Sequence, residues 1–473
     1  MANPQTMNAS ETFDFKKNIP LLAVLLSGAF ITILNQTLLA TALPPIMHDL
    51  NVKESTVQWL QSAFMLVNGI MIPITAFLIG KFTTRRLFLF ALGVFAAGTA
   101  VAAVSPNFTI LLLGRVLQGT GAGIMMPLLQ TVMFLLFPRE QRGKAMGMFG
   151  LVIAFAPAIG PTLSGYLVDH YPWRSVFYVV LPIVLIIITA AYFLLKNVTE
   201  LTNPRVDYLS IVLSTFGFGG ILYGFSVAGN VGWLTPNTII SLAVGAAALA
   251  WFINRQLKLE EPILEFRVFR YGVFALATSL GMIVFASMIA TTVILPLFMQ
   301  NLLGFNALHS GLMLLPGAIV TGIMNPVTGS LFDKYGAKWL LRIGFAILTV
   351  TTFMFSTLSE DTTFLYLAVL NAVRMVGIAT VMMPSTTLGL NQLPNHLIPH
   401  GTAMNNTFRQ IAGAIGTAVL VTVTITAANG NSVAGHIHGV NVAFLIAGCV
   451  AAAGLLLSFL IRDSRAKDRS VNA

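Results

Sequence analysis

Acidic side chains are scarce in this chain. Of 473 residues only 16 are Asp or Glu, against 26 Lys or Arg, and charged residues of both signs make up 9%. A soluble domain of ordinary make-up carries about 25% charged residues. The length would allow several soluble domains, but no polar stretch is long enough to form one. Cysteine is scarcer still. Cys449 stands alone and excludes an intrachain disulfide framework. There is no His-Glu-x-x-His signature, no Walker loop and no nucleophile–base pair, which sets aside enzymes, receptors of that kind and direct ATP drive. Gly119-x-Gly121-x-Gly123 is only faintly like a nucleotide loop and lies inside an apolar run. His436 and His438 are spaced i, i+2, but a metal site there lacks its remaining ligands. No cofactor is called for.

What the chain has is hydrophobic length, with 56% apolar residues. The runs reach the ~20 residues that a membrane-spanning helix needs, beyond the ~10 of a barrel strand. Backbone groups in lipid must be satisfied internally, and helices do this within each segment. Fourteen spans can be drawn, at 20–45, 56–79, 87–105, 108–136, 145–168, 174–195, 207–228, 237–254, 272–297, 309–331, 339–357, 363–386, 402–427 and 441–461. The first ends in Ala40-Thr41-Ala42, loosely like a signal-peptidase site. It is too long for a signal core and is followed by thirteen more spans, so it reads as retained.

The net charge of +10 could suggest nucleic acid, but its placement argues otherwise. Basic residues from Lys16 and Lys17 through Arg139, Arg142, Lys144, Lys196, Arg205, Arg255, Lys258, Arg267 and Arg270 to the 462–473 tail fall on one side of the spans, and the other side carries Lys53 and Arg174. The positive-inside rule puts both termini in the cytoplasm of a bacterial-type cell membrane. The charges are orientation signals, so the expected partners are lipid, a small-molecule substrate and protons, with no nucleic acid. Nothing signals an oligomer, and a monomer is expected.

One stretch occurs twice. Gly69-Ile70-Met71, Pro73, Thr75, Leu78, Lys81 and Leu87 reappear without a gap as Gly322-Ile323-Met324, Pro326, Thr328, Leu331, Lys334 and Leu340. Arg115…Met125-Met126-Pro127 parallels Arg374…Met382-Met383-Pro384, which suggests Arg374 as the mate of Arg115. Gly143-x-Ala145-Met146 parallels Gly401-x-Ala403-Met404. A duplicated helical bundle is the economical explanation. The offset leaves room for two extra helices, which gives a cytoplasmic tail (1–19), a six-helix bundle (20–195), two inserted helices with cytoplasmic linkers (196–271), a second six-helix bundle (272–461) and a tail (462–473). Pro262 argues against a continuous helix through the second linker.

Four motifs carry further meaning. The loop after the second span of each half reads Gly329, Asp333, Lys334, Gly336, Lys338 in the second copy. The first copy keeps Lys81, Arg85 and Arg86, with Ala76, Gly80 and Thr83 where Gly, Asp and Gly stand in the pattern. A carboxylate and cations in such a loop can bind helix termini of the other half; bare orientation charge is the plainer reading. Arg115, with Gln118 one turn on and Gly119, Gly121 and Gly123 after it, puts a cation inside a span. That costs ~3 kcal/mol on insertion scales and marks a functional candidate, unless the side chain snorkels outward. Ala154 to Gly165 contains Pro157, Gly160, Pro161 and Gly165, a run that bends and packs closely. Asn35-Gln36-Thr37 sits in the first span, where lipid would leave amides unpaired.

Together these motifs resemble the major facilitator superfamily, specifically its fourteen-span drug:proton antiporter branch, and within it the lincomycin-resistance type of multidrug exporter. The resemblance implies an all-α membrane protein of two six-helix bundles plus two inserted helices, exporting hydrophobic or amphiphilic drugs by proton antiport and alternating access. It implies conformational gating by Lys81, Arg85, Arg86, Pro157, Gly160, Pro161, Gly165, Gly329, Asp333, Lys334 and Gly336. It also implies a proton-coupling or substrate role for Arg115. Many relatives carry Asp where this chain has Asn35, and Asn cannot exchange a proton. Asp169 and Asp207, at span ends, are the nearest protonatable candidates, although each also reads as a plain helix-end charge.

A substrate chamber should be mostly apolar with a few polar groups. Its candidates are Asn35, Gln36, Gln61, Phe64, Asn68, Arg115, Gln118, Phe155, Phe285, Asn371, Arg374 and Asn405. Arginines without a mid-membrane carboxylate favour neutral, weakly basic or amphiphilic compounds over dications. A transporter of lipids or amphiphiles, or of organic anions held by Arg115 and Arg374, is the competing reading.

Overall fold

A computed structural model describes residues 15–461, apart from residues 200, 203 and 431. Six long helices come first: α1 (Phe15–Asp49), α2 (Trp59–Lys81), α3 (Thr84–Ala103), α4 (Phe108–Leu136), α5 (Arg142–His170) and α6 (Ser175–Leu194). Two more follow, α7 (Tyr208–Val231) and α8 (Pro236–Lys258). The last six are α9 (Gly272–Asn301), α10 (Ala307–Tyr335), α11 (Ala337–Met354), α12 (Phe364–Leu390), α13 (Ile398–Thr426) and α14 (Val433–Ser458). Fourteen stretches among the described residues are long and apolar enough to cross a membrane, and no strand occurs among them. The six-plus-two-plus-six plan is the one expected. In the second linker α8 stops at Lys258, four residues before Pro262, and a short turn of 3-10 helix covers Phe266–Arg270.

The two bundles repeat the same packing. In the first, α4 packs on α2 and α3, α5 on α1, and α6 on α3; in the second, α12 packs on α10 and α11, α13 on α9, and α14 on α11. Single contacts repeat as well. Thr75 donates to the Gly123 carbonyl across α2 and α4 (3.5 Å), and Thr328 donates to the Ala379 carbonyl across α10 and α12 (3.3 Å). Gly121 lies on the Ala91 carbonyl as Gly377 lies on that of Gly344, so both α3–α4 and α11–α12 approach at backbone distance.

The bundles meet through α5 against α10 and, related by the repeat, α2 against α13. The α5–α10 contact is built from absent side chains. Gly143 and Gly329 face each other's carbonyls, and a methyl group on Gly147 would stand 2.7 Å from the Asn325 carbonyl oxygen. All of these lie toward the end of the molecule that bears Lys81, Arg139, Lys144 and Lys334, here called the basic end. A single buried apolar core joins the two bundles there, running from Met146 and Phe149 to Phe332, Met383 and Met404. At the far end the second bundle keeps a core of its own around Leu295, Phe298, Leu367 and Phe444. The molecule is thus closed at the basic end and parted at the far end.

Asp333 clamps the closed end. One carboxylate oxygen accepts from the Gly143 N–H and the other from the Lys144 N–H, each at 2.8 Å. These N–H groups belong to the first turn of α5, where four donors lack intrahelical partners and the helix dipole favours negative charge. Gly336, at φ 81°, ends α10 in the left-handed conformation that glycine adopts without cost and so fixes the register of Asp333. Arg142 adds a bond to the Asn391 side chain at the end of α12 (3.1 Å) and lies over the Phe134 ring.

Removing this clamp should release the basic end. Loss of a helix-capping acceptor costs about 0.5–2 kcal/mol, so Asp333→Ala should raise the population open at the basic end roughly 2- to 30-fold. Distances between spin labels on the basic ends of α5 and α10 would register the shift; an unchanged distribution would deny Asp333 this role.

Candidate functional site

Arg115 is the organising residue of the first bundle. Asn107 caps the start of α4 by accepting from the Ile110 N–H, and Arg115 follows two turns in. The glycines around it set its surroundings. Gly114 and Gly121 lie against α3, Gly119 and Gly123 against α2, and the close approach seals Arg115 inside with no solvent exposure. Its Nε donates to the Leu60 carbonyl (3.1 Å), and its Nη1 to Asn35 Oδ1 (2.8 Å) and Gln118 Oε1 (2.7 Å). The guanidinium lies 4.4 Å from the centre of the Phe64 ring. Gln118 passes the network on to Thr99 (2.8 Å), which donates to the Phe95 carbonyl. Four helices therefore converge on one cation, and its hydrogen-bond partners are all neutral. Three charge-assisted hydrogen bonds, at about 1.5–3 kcal/mol each, outweigh an insertion cost of about 3 kcal/mol. The snorkelling alternative does not describe this arginine. Arg115 Nη2 and Asn35 Nδ2 stay without partners, beside each other's bonded atoms.

The second bundle answers with a shifted copy. Arg374, also fully buried, donates through Nε to Thr352 (3.3 Å) and through Nη2 to the Ser287 hydroxyl (2.6 Å) and carbonyl (2.9 Å). Thr352 is the repeat mate of Thr99, at the offset of 253 shared by the duplicated stretch. Arg374 is therefore the mate of Gln118. The mate of Arg115 is Asn371, at the offset of 256 that relates Phe108 to Phe364 and Gly123 to Ala379. Pairing Arg115 with Arg374 by motif is a reading one helical turn out, because Arg374 stands three residues further along its helix. Asn371 is buried beside Gly317 and Met375, with both amide atoms unpartnered.

A third buried cation is missing from the candidates drawn from sequence. Arg409, on α13, is 3% exposed and donates through Nη2 to the Met382 carbonyl (2.9 Å) and to Thr386 Oγ1 (2.5 Å), with its guanidinium over Gly281 of α9. The rule that singles out Arg115, a cation well inside an apolar span, applies equally to Arg409 and would have found it.

The other candidates disperse. Asn35, Phe64, Arg115 and Gln118 share the first cluster, while Asn371 and Arg374 share the second; all are at most 1% exposed and face no open space in this conformation. Asn405 is buried against Thr278 of α9 (3.5 Å). Asn68 is 9% exposed, with its backbone against Gly123. Gln36 and Gln61 are half-buried, Phe285 packs against Gly413, and Phe155 fills the space over Gly322 between the bundles. Asn406, beside Asn405, bridges the bundles by donating to Gln130 Oε1 of α4 (2.6 Å).

The gating candidates split between the two copies of the loop. Gly329, Asp333 and Gly336 form the clamp described above, and Lys334 lies over Tyr335. In the first copy Lys81 donates to the Pro204 carbonyl of the linker (3.3 Å), Arg85 stacks on Tyr192 of α6, and Arg86 is exposed. These contacts stay within the first bundle and its linker. Gly80, where the pattern has Asp, instead presents its carbonyl to the Thr202 N–H (3.0 Å), and a Cβ there would meet Thr202 Oγ1 at 2.8 Å. At the matching start of α13, the Glu265 N–H of the other linker donates to His400 Nδ1 (3.3 Å). Pro157 and Pro161 lie inside an unbroken α5, Gly160 admits Thr37 of α1, and Gly165 faces open space.

Of the two acids proposed for proton exchange, Asp169 is exposed in the last turn of α5. Asp207 caps α7 at the basic end, accepting from Ser210 and from Arg255 Nε (2.8 Å). The Arg255 hydrogen bond holds its carboxyl below the usual carboxylate range, with the Ser210 bonds adding to the effect.

The chain is similar to known proteins in sequence and in fold. The model of the Major Facilitator Superfamily matches residues 25–417. The chain belongs to the major facilitator superfamily. It is a multi-pass membrane transporter, not an enzyme. It is 54% identical over 461 residues to the uncharacterized MFS-type transporter YcnB of Bacillus subtilis strain 168, covering 96% of this chain and 98% of that one. It is 41% identical over 458 residues to the lincomycin resistance protein LmrB of Listeria monocytogenes, covering 94% and 97%. Its fold is also that of the human organic anion transporter MFSD10, with a TM-score of 0.68 at 14% identity over 93% of this chain and 99% of that one.

Two outcomes follow for this transporter. Arg115→Lys should lose transport and thermal stability together, because a single ammonium cannot reproduce a planar fork shared among α1, α2 and α4; detergent-solubilised melting curves beside transport rates would show it. A depressed carboxyl contributes stability above its unfolded pKa, lost only as pH falls through the folded value. Asp207 therefore stays ionised across pH 5.5–8, and Asp207→Asn should leave the pH profile of transport in that window unshifted while lowering the melting temperature. A shifted profile would restore Asp207 as a proton carrier.

Proposed function

We propose that this transporter exports hydrophobic or amphiphilic drugs, lincosamide-type antibiotics among them, in exchange for protons, with its basic end in the cytoplasm of a bacterial cell membrane. The observation that carries the reading is the one-sided closure: the bundles are sealed at the basic end by the Asp333 clamp on α5 and parted at the far end. With the basic end inside, this is the conformation in which an exporter releases cargo outward. Similarity to a lincomycin resistance protein over nearly the whole chain supports the drug class.

The electrostatics favour some cargo over others. Glu265, in a linker at the basic end, is the one acidic residue among the described residues that is buried, at 8% exposure. A dication would find no counter-charge at mid-depth, and removing a charge from water without a partner is strongly unfavourable. Neutral, monobasic and amphiphilic compounds escape that cost. We assign proton exchange to Asp169, on the helix whose basic end the clamp holds, and give Arg115 the supporting role of fixing α1 to α4 as one moving body. A second reading, export of organic anions, draws on Arg115, Arg374 and Arg409, which each retain an unpartnered N–H inside the membrane.

Purified protein in liposomes with an internal pH dye separates these readings. Under an imposed pH gradient, a lincosamide should drive proton flux that Asp169→Asn abolishes, and a divalent cationic dye should not. Flux driven by an organic anion instead would move the assignment to the arginines, and no flux with either compound from folded protein would end the antiporter reading.

A further inference from the structure

We infer that the far-end half of the α5–α10 seam is the lateral portal through which an amphiphilic substrate passes between the central space and the membrane leaflet on that side, and that the inserted helices close the equivalent seam between α2 and α13. This rests on the exporter reading for its direction and on geometry for its location.

The two seams are related by the repeat and ought to look alike. They do not. The α5 face that carries Gly143, Gly147 and Gly150 continues at helical spacing through Pro157, Pro161 and Gly165. The α10 face that carries Gly329, Asn325 and Gly322 continues through Leu315 and Gly311. At the basic end a methyl group on any of these glycines would collide with the facing helix, whereas at Gly165 and Gly311 it would meet nothing within 4 Å. Both prolines on α5 are exposed. The helices therefore touch up to Phe155 and Gly322 and then separate. No charged residue occurs on α5 between Phe155 and Asp169, or on α10 between Gly311 and Gly329, so no charge bars an acyl chain or an aromatic drug from the gap.

The second seam has been spanned. Helix α7 packs on both α2 and α13. On α2, Leu222 fills the space over Gly69, Ile70 sits on Gly219, and Tyr223 stacks on Trp59 with ring centres 5.9 Å apart. On α13, a methyl group on Gly229 would meet the Ala418 Cα at 3.3 Å, and Trp233 Nε1 donates to Thr422 Oγ1 at 2.7 Å. Helix α8 backs α7 through Gly220 against Gly245. The strap crosses the seam at the far end, where the bundles would otherwise part, and its anchors are apolar or hydrogen-bonded inside the membrane.

The experiment uses full-length protein with Cys449→Ser, since Cys449 is exposed. Gly165→Cys, Gly311→Cys and Ala418→Cys are introduced singly, labelled with bimane and placed in liposomes whose lipids carry a nitroxide on the acyl chain. Labels at Gly165 and Gly311 should be quenched several-fold more than at Ala418, which should either resist labelling or label without quenching. Equal lipid quenching at all three, or quenching at Gly165 and Gly311 by aqueous iodide alone, overturns the portal. Wild-type drug–proton exchange is measured in the same liposomes. Its absence would end the exporter reading and leave the quenching contrast standing, while intact exchange with no contrast would end the portal alone. Gly311→Trp supplies a second readout: it should slow export of a membrane-partitioned drug several-fold, and an unchanged rate counts against the portal.

Discussion

Everything about this conformation depends on how closely α5 and α10 approach at the basic end. Two membrane helices have little hydrophobic reason to associate, because lipid is as apolar as either surface. Here glycines on both partners bring carbonyls against Cα hydrogens, and the Asp333 carboxylate satisfies two donors that the start of α5 leaves open. The clamp is short, charged and at the membrane edge, where water is an alternative partner for these donors. A hydrophobic seam of the same area would have no such alternative partner and would open less readily.

The interior of each bundle is held differently. Buried arginines without carboxylate partners would be a severe liability in a dry core, yet three of them are sheltered here by backbone carbonyls, amides and hydroxyls. Neutral partners make the bundle rigid without creating an ion pair whose proton state could change. The arginine networks thus tie the helices of each half to one another through groups that carry no negative charge. Arg255 and Ser210 hold the Asp207 carboxyl toward its ionised form, which sets it apart from Asp169 at the other end of the spans.

The inserted pair makes the two seams of a duplicated protein structurally unlike. Where the first loop lost its carboxylate, Gly80 accepts the linker's Thr202 and Lys81 reaches Pro204, and at the matching start of α13 the other linker meets His400. The α2–α13 seam is thus covered by the insertion and its linkers, while the α5–α10 seam is packed through glycines and held by the Asp333 clamp.

Much of this was legible in the chain. Hydrophobic length set the number of spans, because every backbone group in lipid must find a partner within its own helix, and the bias of basic loops pointed to an orientation. The repeat Gly69–Leu87 and Gly322–Leu340 announced two bundles, and the extra spacing between the halves announced the insertion. Asp333 was visible as a clamp for the same reason, since a lone acid among loop cations has few other uses. What the sequence left undecided was register and neighbourhood. Matching motifs paired Arg115 with Arg374, and only the shared Thr99 and Thr352 contacts show that Gln118 holds the equivalent place. Arg409 was readable by its depth and was missed. Whether a polar residue in a span faces a chamber or a sealed core depends on helix rotation and on partners hundreds of residues away. Periodicity cannot supply those, so the burial of Asn35, Asn371 and Arg374, and the sealing of one seam by α7, were decided by tertiary packing alone.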